Sequence, residues 1–143
     1  MNMVTDRNLS YMTYDELPYM LKQIDDPPAI LYYKGDIDSC NLEKTLAVVG
    51  SRRATRAAKD ILSKIISQFT ETDICIVSGL AAGIDSTAHE SAINNGLKTI
   101  GVIASGHDFI YPTNNKELYK RIENGNGVIF SEYFPTVATL YRP

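Results

Sequence analysis

No stretch of the 143-residue sequence approaches eighteen consecutive apolar residues, the minimum for a helix that crosses a bilayer. The first residues also lack a basic region followed by an apolar one, so no signal peptide is expected. A cytoplasmic protein without a membrane partner is the expectation. Cysteine is scarce: Cys40 and Cys75 stand alone, in different kinds of segment and without metal-ligand spacing. Neither a disulfide nor a metal site is expected of them, and Cys75 reads as a small buried thiol inside an apolar strand. Three catalytic or phosphate-binding signatures are missing as well. There is no G-x-x-x-x-G-K-[ST] loop, no G-x-S-x-G elbow and no G-x-G-x-x-G after a strand. A nucleotide hydrolase or a dehydrogenase is therefore disfavoured.

What is present is unevenly charged. The net charge of −3 hides an acidic beginning, with eight acids against three bases in residues 1–43, and a mildly basic remainder. Within residues 44–64, Lys44, Arg52, Arg53, Arg56, Lys59 and Lys64 face only Asp60. Such a local field suits phosphate groups, although a charged helix also presents a solvated face of this kind. The stretch Val77-Ser78-Gly79-Leu80-Ala81-Ala82-Gly83-Ile84-Asp85 follows the short apolar run Ile74–Val77. It turns a buried strand into a helix through glycines and small residues. Its amides are expected to be free for an anion at the helix start.

Residues 1–44 read as a polar N-terminal arm with a short helix beginning near Asp15, stopped by Asp26-Pro27-Pro28, and a strand from Ala29 to Gly35 that pairs with or covers a sheet edge. Residues 45–143 then alternate regularly. Strands are expected at 46–49, 74–77, 99–104 and 127–132, with helices after Thr55, from Ile84 to Asn94 and from Asn115 to Glu123. In the first of these helices Ala58, Ile61, Leu62, Ile65, Ile66 and Phe69 recur at spacings of three and four and define an apolar face. Alternation of this kind implies an α/β fold, a Rossmann-like three-layer domain with a mostly parallel sheet and right-handed crossovers.

Ligands of such sheets bind beyond the carboxyl ends of the strands. Three of those ends carry a small pair, Gly50-Ser51, Ser78-Gly79 and Ser105-Gly106, and Arg52 and Arg53 follow the first. Together they point to one shallow phosphate-binding groove into which Arg52 projects while Arg53 faces differently. His107 is a further candidate for the lining. Asp85 and His89 stand four apart on one helix face, but nothing presents a serine on a strained elbow, so no catalytic triad and no catalytic residues are expected. The tyrosines form no stripe and carry no functional weight.

Gly50-Ser51-Arg52, the string Ser78-Gly79-Leu80-Ala81-Ala82-Gly83-Ile84-Asp85 with Ala88-His89, Tyr111-Pro112 with Asn115-Lys116 and Leu118, and Ser131-Glu132-Tyr133 together resemble the DNA-processing protein A (DprA/Smf) family over roughly residues 26–143. The resemblance implies a single-stranded DNA-binding protein, not an enzyme and without a cofactor. Such a protein protects incoming DNA and assists loading of a RecA-type recombinase in natural transformation, and it can form a homodimer. It implies phosphate contacts from Arg52 and Lys116, and backbone or base contacts at Gly50, Ser51, Ser78, Gly79 and Gly83. Similar members continue beyond the position of Pro143, so the Rossmann-like unit is expected to be incomplete at its C-terminal side. A small-nucleotide-binding module stays open as an alternative. A nucleotide phosphoribohydrolase of related fold needs a P-G-G-x-G-T-x-x-E string that the sequence lacks.

Overall fold

The computed structural model describes residues 8–138; Asp6, Arg7 and the last residues of the expected 45–143 unit lie outside them. Six strands form one sheet in the order β1 (Ser10–Thr13), β2 (Ile30–Gly35), β6 (Gly127–Ser131), β5 (Thr99–Ile103), β4 (Cys75–Ser78) and β3 (Thr45–Ala47). The last four are parallel neighbours, and the β1–β2 hairpin joins β6 antiparallel, with Tyr32 opposite Ser131. The protein is an α/β fold of Rossmann-like type. Among the described residues no helix is long and apolar enough to cross a membrane.

The chain steps in one direction, β3 to β4 to β5 to β6, through α2 (Arg56–Ser67), α3 (Ile84–Asn94) and α4 (Lys116–Arg121). Right-handed crossovers that never reverse direction must all pass over the same face. Accordingly Ile66 of α2 and Ala88 and Ala92 of α3 bury Ile76, and Leu118 and Tyr119 of α4 bury Ile129. The opposite face is covered by the arm. Met12, Leu17 and Leu31 pack there on Cys75, Ile100, Val128 and Phe130, with Leu21 of the four-residue helix α1 (Tyr19–Lys22) at the margin.

Local signals act where the spacing predicts them. Thr55 caps α2 by accepting the Ala58 amide at 3.2 Å, and Gly96 adopts φ +73° just past the end of α3. Three expectations need correction. The first parallel strand stops at Ala47, not Val49, and Val49 is 89 % exposed, because β3 lies at the sheet edge with a neighbour on one side. For the same reason the apolar face of α2 is only partly buried: Ile66 is fully covered, while Ile61 and Ile65 remain 59 % and 51 % exposed. Finally, the arm supplies two strands, since Ser10–Thr13 pairs with β2 in addition to the expected strand.

Candidate functional site

Beyond the carboxyl ends of β3, β4 and β5 lies a groove of about 390 Å³ lined by Arg52, Gly79, Ala81, Asp85, Ser105 and the aromatic pair Phe109 and Tyr111, among others. A second cavity, about 450 Å³, lies on the arm side between Met20, Leu21 and Ile24 and the sheet residues Val77, Ile100 and Phe130; its lining is apolar, and Glu132 is its charged member. Of the two, the first has an arginine in its lining.

The loops around the groove hold one another. Gly83 has φ +83°, a conformation that an L side chain adopts at a cost, and a Cβ there would stand 2.3 Å from the Ser51 carbonyl oxygen. That carbonyl accepts the Ile84 amide at 3.1 Å, and a Cβ on Gly50 would run into the Ile84 side chain. Gly50, Ser51 and Gly83 therefore interlock the β3 loop with the start of α3. Their smallness serves protein–protein approach, where the sequence suggested approach to a ligand. Ser51 Oγ accepts the Arg53 amide at 3.0 Å and tightens the turn. Arg52 lines the groove and Arg53 does not.

Two of the amides that the sequence offers to an anion are already used. Asp85 Oδ2 accepts the Gly79 amide at 3.1 Å and the Ala81 amide at 3.4 Å, so the protein's own carboxylate fills the place expected for a phosphate. An acid in the first turn of α3 also complements the helix dipole. Ser78 is turned inward, its Oγ donating to the Val48 carbonyl at 2.7 Å and tying the ends of β3 and β4. Ser105 lines the groove but is 5 % exposed, and its hydroxyl donates to the Phe109 carbonyl at 3.1 Å. Gly106 lies beneath the segment 134–137, where its amide donates to the Val137 carbonyl and a Cβ would collide with the Phe134 oxygen. Lys116 is exposed at the start of α4 and outside the lining.

His107 is a correction. It is 3 % exposed, and its Nδ1 hydrogen-bonds the Tyr119 hydroxyl at 2.8 Å behind the groove. Burial, with Glu123 and Asp108 nearby, pushes the Tyr119 phenol well above its usual range, so that hydroxyl stays neutral. His89 is fully buried with Nδ1 2.6 Å from Thr99 Oγ1. Thr99 Oγ1 in turn donates to the Ile76 carbonyl at 2.8 Å, so imidazole, hydroxyl and carbonyl form one buried chain. His89 Nε2 has no hydrogen-bond partner among the described residues. Among those residues no cluster of three or more His, Cys, Asp or Glu forms a metal site.

The basic run 44–64 is divided by the fold. Lys44 lies at the amino end of β3 and pairs with Asp73 at 3.0 Å, and Lys64 is in the last turn of α2. Arg52, Arg53 and Arg56 stay at the carboxyl end, Arg56 3.9 Å from Asp60 on the exposed helix surface. Among the lining residues to which the sequence reading gave no binding role are two exposed aromatics. Tyr111 and Phe109 are 63 % and 42 % exposed beside Arg52. Asn115 supports them from behind, its Nδ2 donating to the Leu80 carbonyl at 2.8 Å and so fixing the turn after β4 against the Tyr111-Pro112 loop. The Tyr-Pro…Asn spacing is the signal that carried this information.

A parallel sheet of this order, with an arginine and exposed aromatics across its strand ends, defines a Rossmann-like α/β binding module. The chain belongs to the DNA recombination-mediator protein A family, whose pattern it matches over residues 8–142. It is 45 % identical over 121 residues to the DNA processing protein DprA of Streptococcus pneumoniae, covering 85 % of this chain and 42 % of that protein. It is 36 % identical over 120 residues to the Bacillus subtilis protein of the same name, covering 84 % and 40 %. Solved structures are similar as well. The S. pneumoniae DNA processing protein A superposes with a TM-score of 0.86 at 38 % identity, over 94 % of this chain and 47 % of that one. The Helicobacter pylori protein, described for its single-stranded DNA binding mode, superposes with a TM-score of 0.79 at 33 % identity, over 91 % and 59 %. The chain thus spans less than half the length of these two curated relatives.

Proposed function

We propose that this protein binds single-stranded DNA in the groove beyond β3, β4 and β5. The observation that carries the reading is the pairing of Arg52 with the exposed rings of Tyr111 and Phe109 in one lining. A guanidinium grips a phosphate with parallel charge-assisted bonds. An exposed aromatic face stacks an unpaired base for about 1–3 kcal/mol whatever the base. Duplex bases, stacked on one another, leave no face for Tyr111, so the combination favours a single strand. Lys116, arriving on α4 from the same loop, serves the next phosphate as a point charge. The small glycines and serines at 50–51, 78–79, 83 and 105–106 shape the walls.

Binding of this kind suits the protection of incoming DNA during natural transformation and its hand-over to a RecA-type recombinase, a role in keeping with the recombination-mediator family. A homodimer would place two grooves on one strand. The protein acts in the cytoplasm and turns over neither DNA nor nucleotides. Titration of a labelled oligonucleotide across a salt series, with free mononucleotides in parallel, tests the reading. Affinity for the oligonucleotide is expected to fall steeply with salt. A flat salt dependence, or a tighter grip on mononucleotides, would instead favour a small-nucleotide module. Product formed in the presence of magnesium or zinc would overturn the non-enzymatic reading.

A further inference from the structure

The groove holds an acceptor as well as an arginine. Among the described residues of its lining, Arg52 and Asp85 carry charge, and Ser105, Tyr111 and Tyr119 carry hydroxyls. Two of those hydroxyls are committed to the protein. Ser105 Oγ donates to the Phe109 carbonyl at 3.1 Å, and the Tyr119 hydroxyl pairs with His107 Nδ1 at 2.8 Å. With Arg52 on a phosphate and the Tyr111 ring under a base, Asp85 is the charged group left for the edge of that base.

Asp85 is fixed in place and only half used. Both amides that it accepts, from Gly79 at 3.1 Å and from Ala81 at 3.4 Å, go to Oδ2. No hydrogen bond to Oδ1 is made by the described residues. The turn that holds the carboxylate is also tied to the aromatic side of the groove. Asn115 Nδ2 donates to the Leu80 carbonyl at 2.8 Å and to the Ala81 carbonyl at 3.3 Å, while the Asn115 amide donates to the Pro112 carbonyl at 3.0 Å. Carboxylate and Tyr111 loop thus form one braced frame. Its volume of about 390 Å³ is that of a small-molecule pocket, so a base stacked on Tyr111 shares it with Asp85.

Resting on the single-stranded DNA reading, we propose that Asp85 is a specificity-determining residue: its Oδ1 accepts a hydrogen bond from the exocyclic amino group of cytosine, adenine or guanine, and the groove disfavours thymine. An ionised carboxylate can only accept. Thymine has no amino group, and its one ring N–H lies between two carbonyl oxygens that repel a carboxylate. The discrimination therefore has an attractive and a repulsive part. Phosphate contacts and stacking are indifferent to the base, so the preference is laid over binding that admits all four. Its two amide bonds hold the acceptor ready, which spares the cost of ordering it.

The test compares short oligomers of dC and dT, pyrimidines of similar size, by fluorescence anisotropy at neutral pH and matched salt. The unaltered chain is expected to bind dC about ten-fold more tightly, the scale of one direct base contact. An oligomer of 2-pyrimidinone, which is cytosine without its amino group, is expected to bind no more tightly than dT. Asp85→Asn keeps an oxygen for the two amides and offers an NH₂ to the base, so dT should gain more than dC and the preference should vanish or invert. Suppose both oligomers bind with a steep salt dependence and are weakened by Arg52→Ala. Equal affinities, tighter dT, 2-pyrimidinone binding like dC, or a ratio unchanged in Asp85→Asn would then each overturn the role of Asp85 and leave the DNA reading standing. No salt-dependent binding of either oligomer would overturn both. Should Asp85→Asn fail to fold, the 2-pyrimidinone oligomer on the unaltered chain decides.

Discussion

Arg52 and Arg53 differ by one position and by what stands in front of them. Arg52 lines the groove, and Arg53, whose amide is held by Ser51, does not. Losing one charge-assisted contact costs about 1.5–3 kcal/mol, so Arg52→Ala is expected to weaken oligonucleotide binding roughly ten-fold or more and to lower the salt slope by about one unit. Arg53→Ala should do less; anisotropy titrations at several salt concentrations check both. Asp85 works in the opposite sense. Asp85→Asn keeps an oxygen for the Gly79 and Ala81 amides while removing a negative charge from the groove, and tighter oligonucleotide binding is the expected result in the same assay. Gly83→Ala meets both a positive φ and the Ser51 carbonyl. Calorimetry should show a protein less stable by at least about 2 kcal/mol, on the scale of other forced backbone conformations.

At the level of elements, α2 separates stability from binding. Its cap residue Thr55 is exposed and touches nothing in the groove, so Thr55→Ala is expected to cost about 1 kcal/mol in a urea titration without moving oligonucleotide affinity. The helices and strands from β4 onwards were legible because each buries one stripe or one run, and α3 runs from Ile84 to Asn94 as its small-residue start and Gly96 imply. What periodicity does not encode is position in the sheet. Ile61 and Ile65 read as core and are half-exposed, since nothing in a heptad-like spacing says that β3 is an edge. The β1 strand was invisible for a similar reason, as its pairing with β2 is a tertiary fact. In the groove, Arg52 was legible from its place after a strand. The ownership of the Gly79 amide by Asp85, and the exposure of Tyr111 beside Arg52, arise only when loops distant in sequence meet.

For the molecule as a whole, one buried imidazole sets an acid limit. Burial, opposed by the Ser78 backbone, lowers His89 from 6.5 to about 4. Between those values the unfolded chain binds a proton that the native chain refuses. Its contribution is therefore complete above about pH 6.5 and is lost as the pH falls towards 4, in total about 3 kcal/mol. Urea midpoints at neutral pH and at about pH 5 should show the decline. The arm is equally a property of the whole, because Met12, Leu17 and Leu31 complete the core over Ile100 and Phe130. A chain started at Thr45 bares that face and is expected to lose cooperative unfolding in the same measurement. The pairing of β2 with β6 also sets an order of events during synthesis. β3, β4 and β5 each find their neighbour across a single crossover, but Tyr32 must wait for Ser131. The hairpin made first is thus the last to dock, and closing so long a loop is the slow, non-local step. On the ribosome the N-terminal hairpin leaves the tunnel early and stays unpaired at its inner edge, a template for other nascent strands until β6 arrives to claim it.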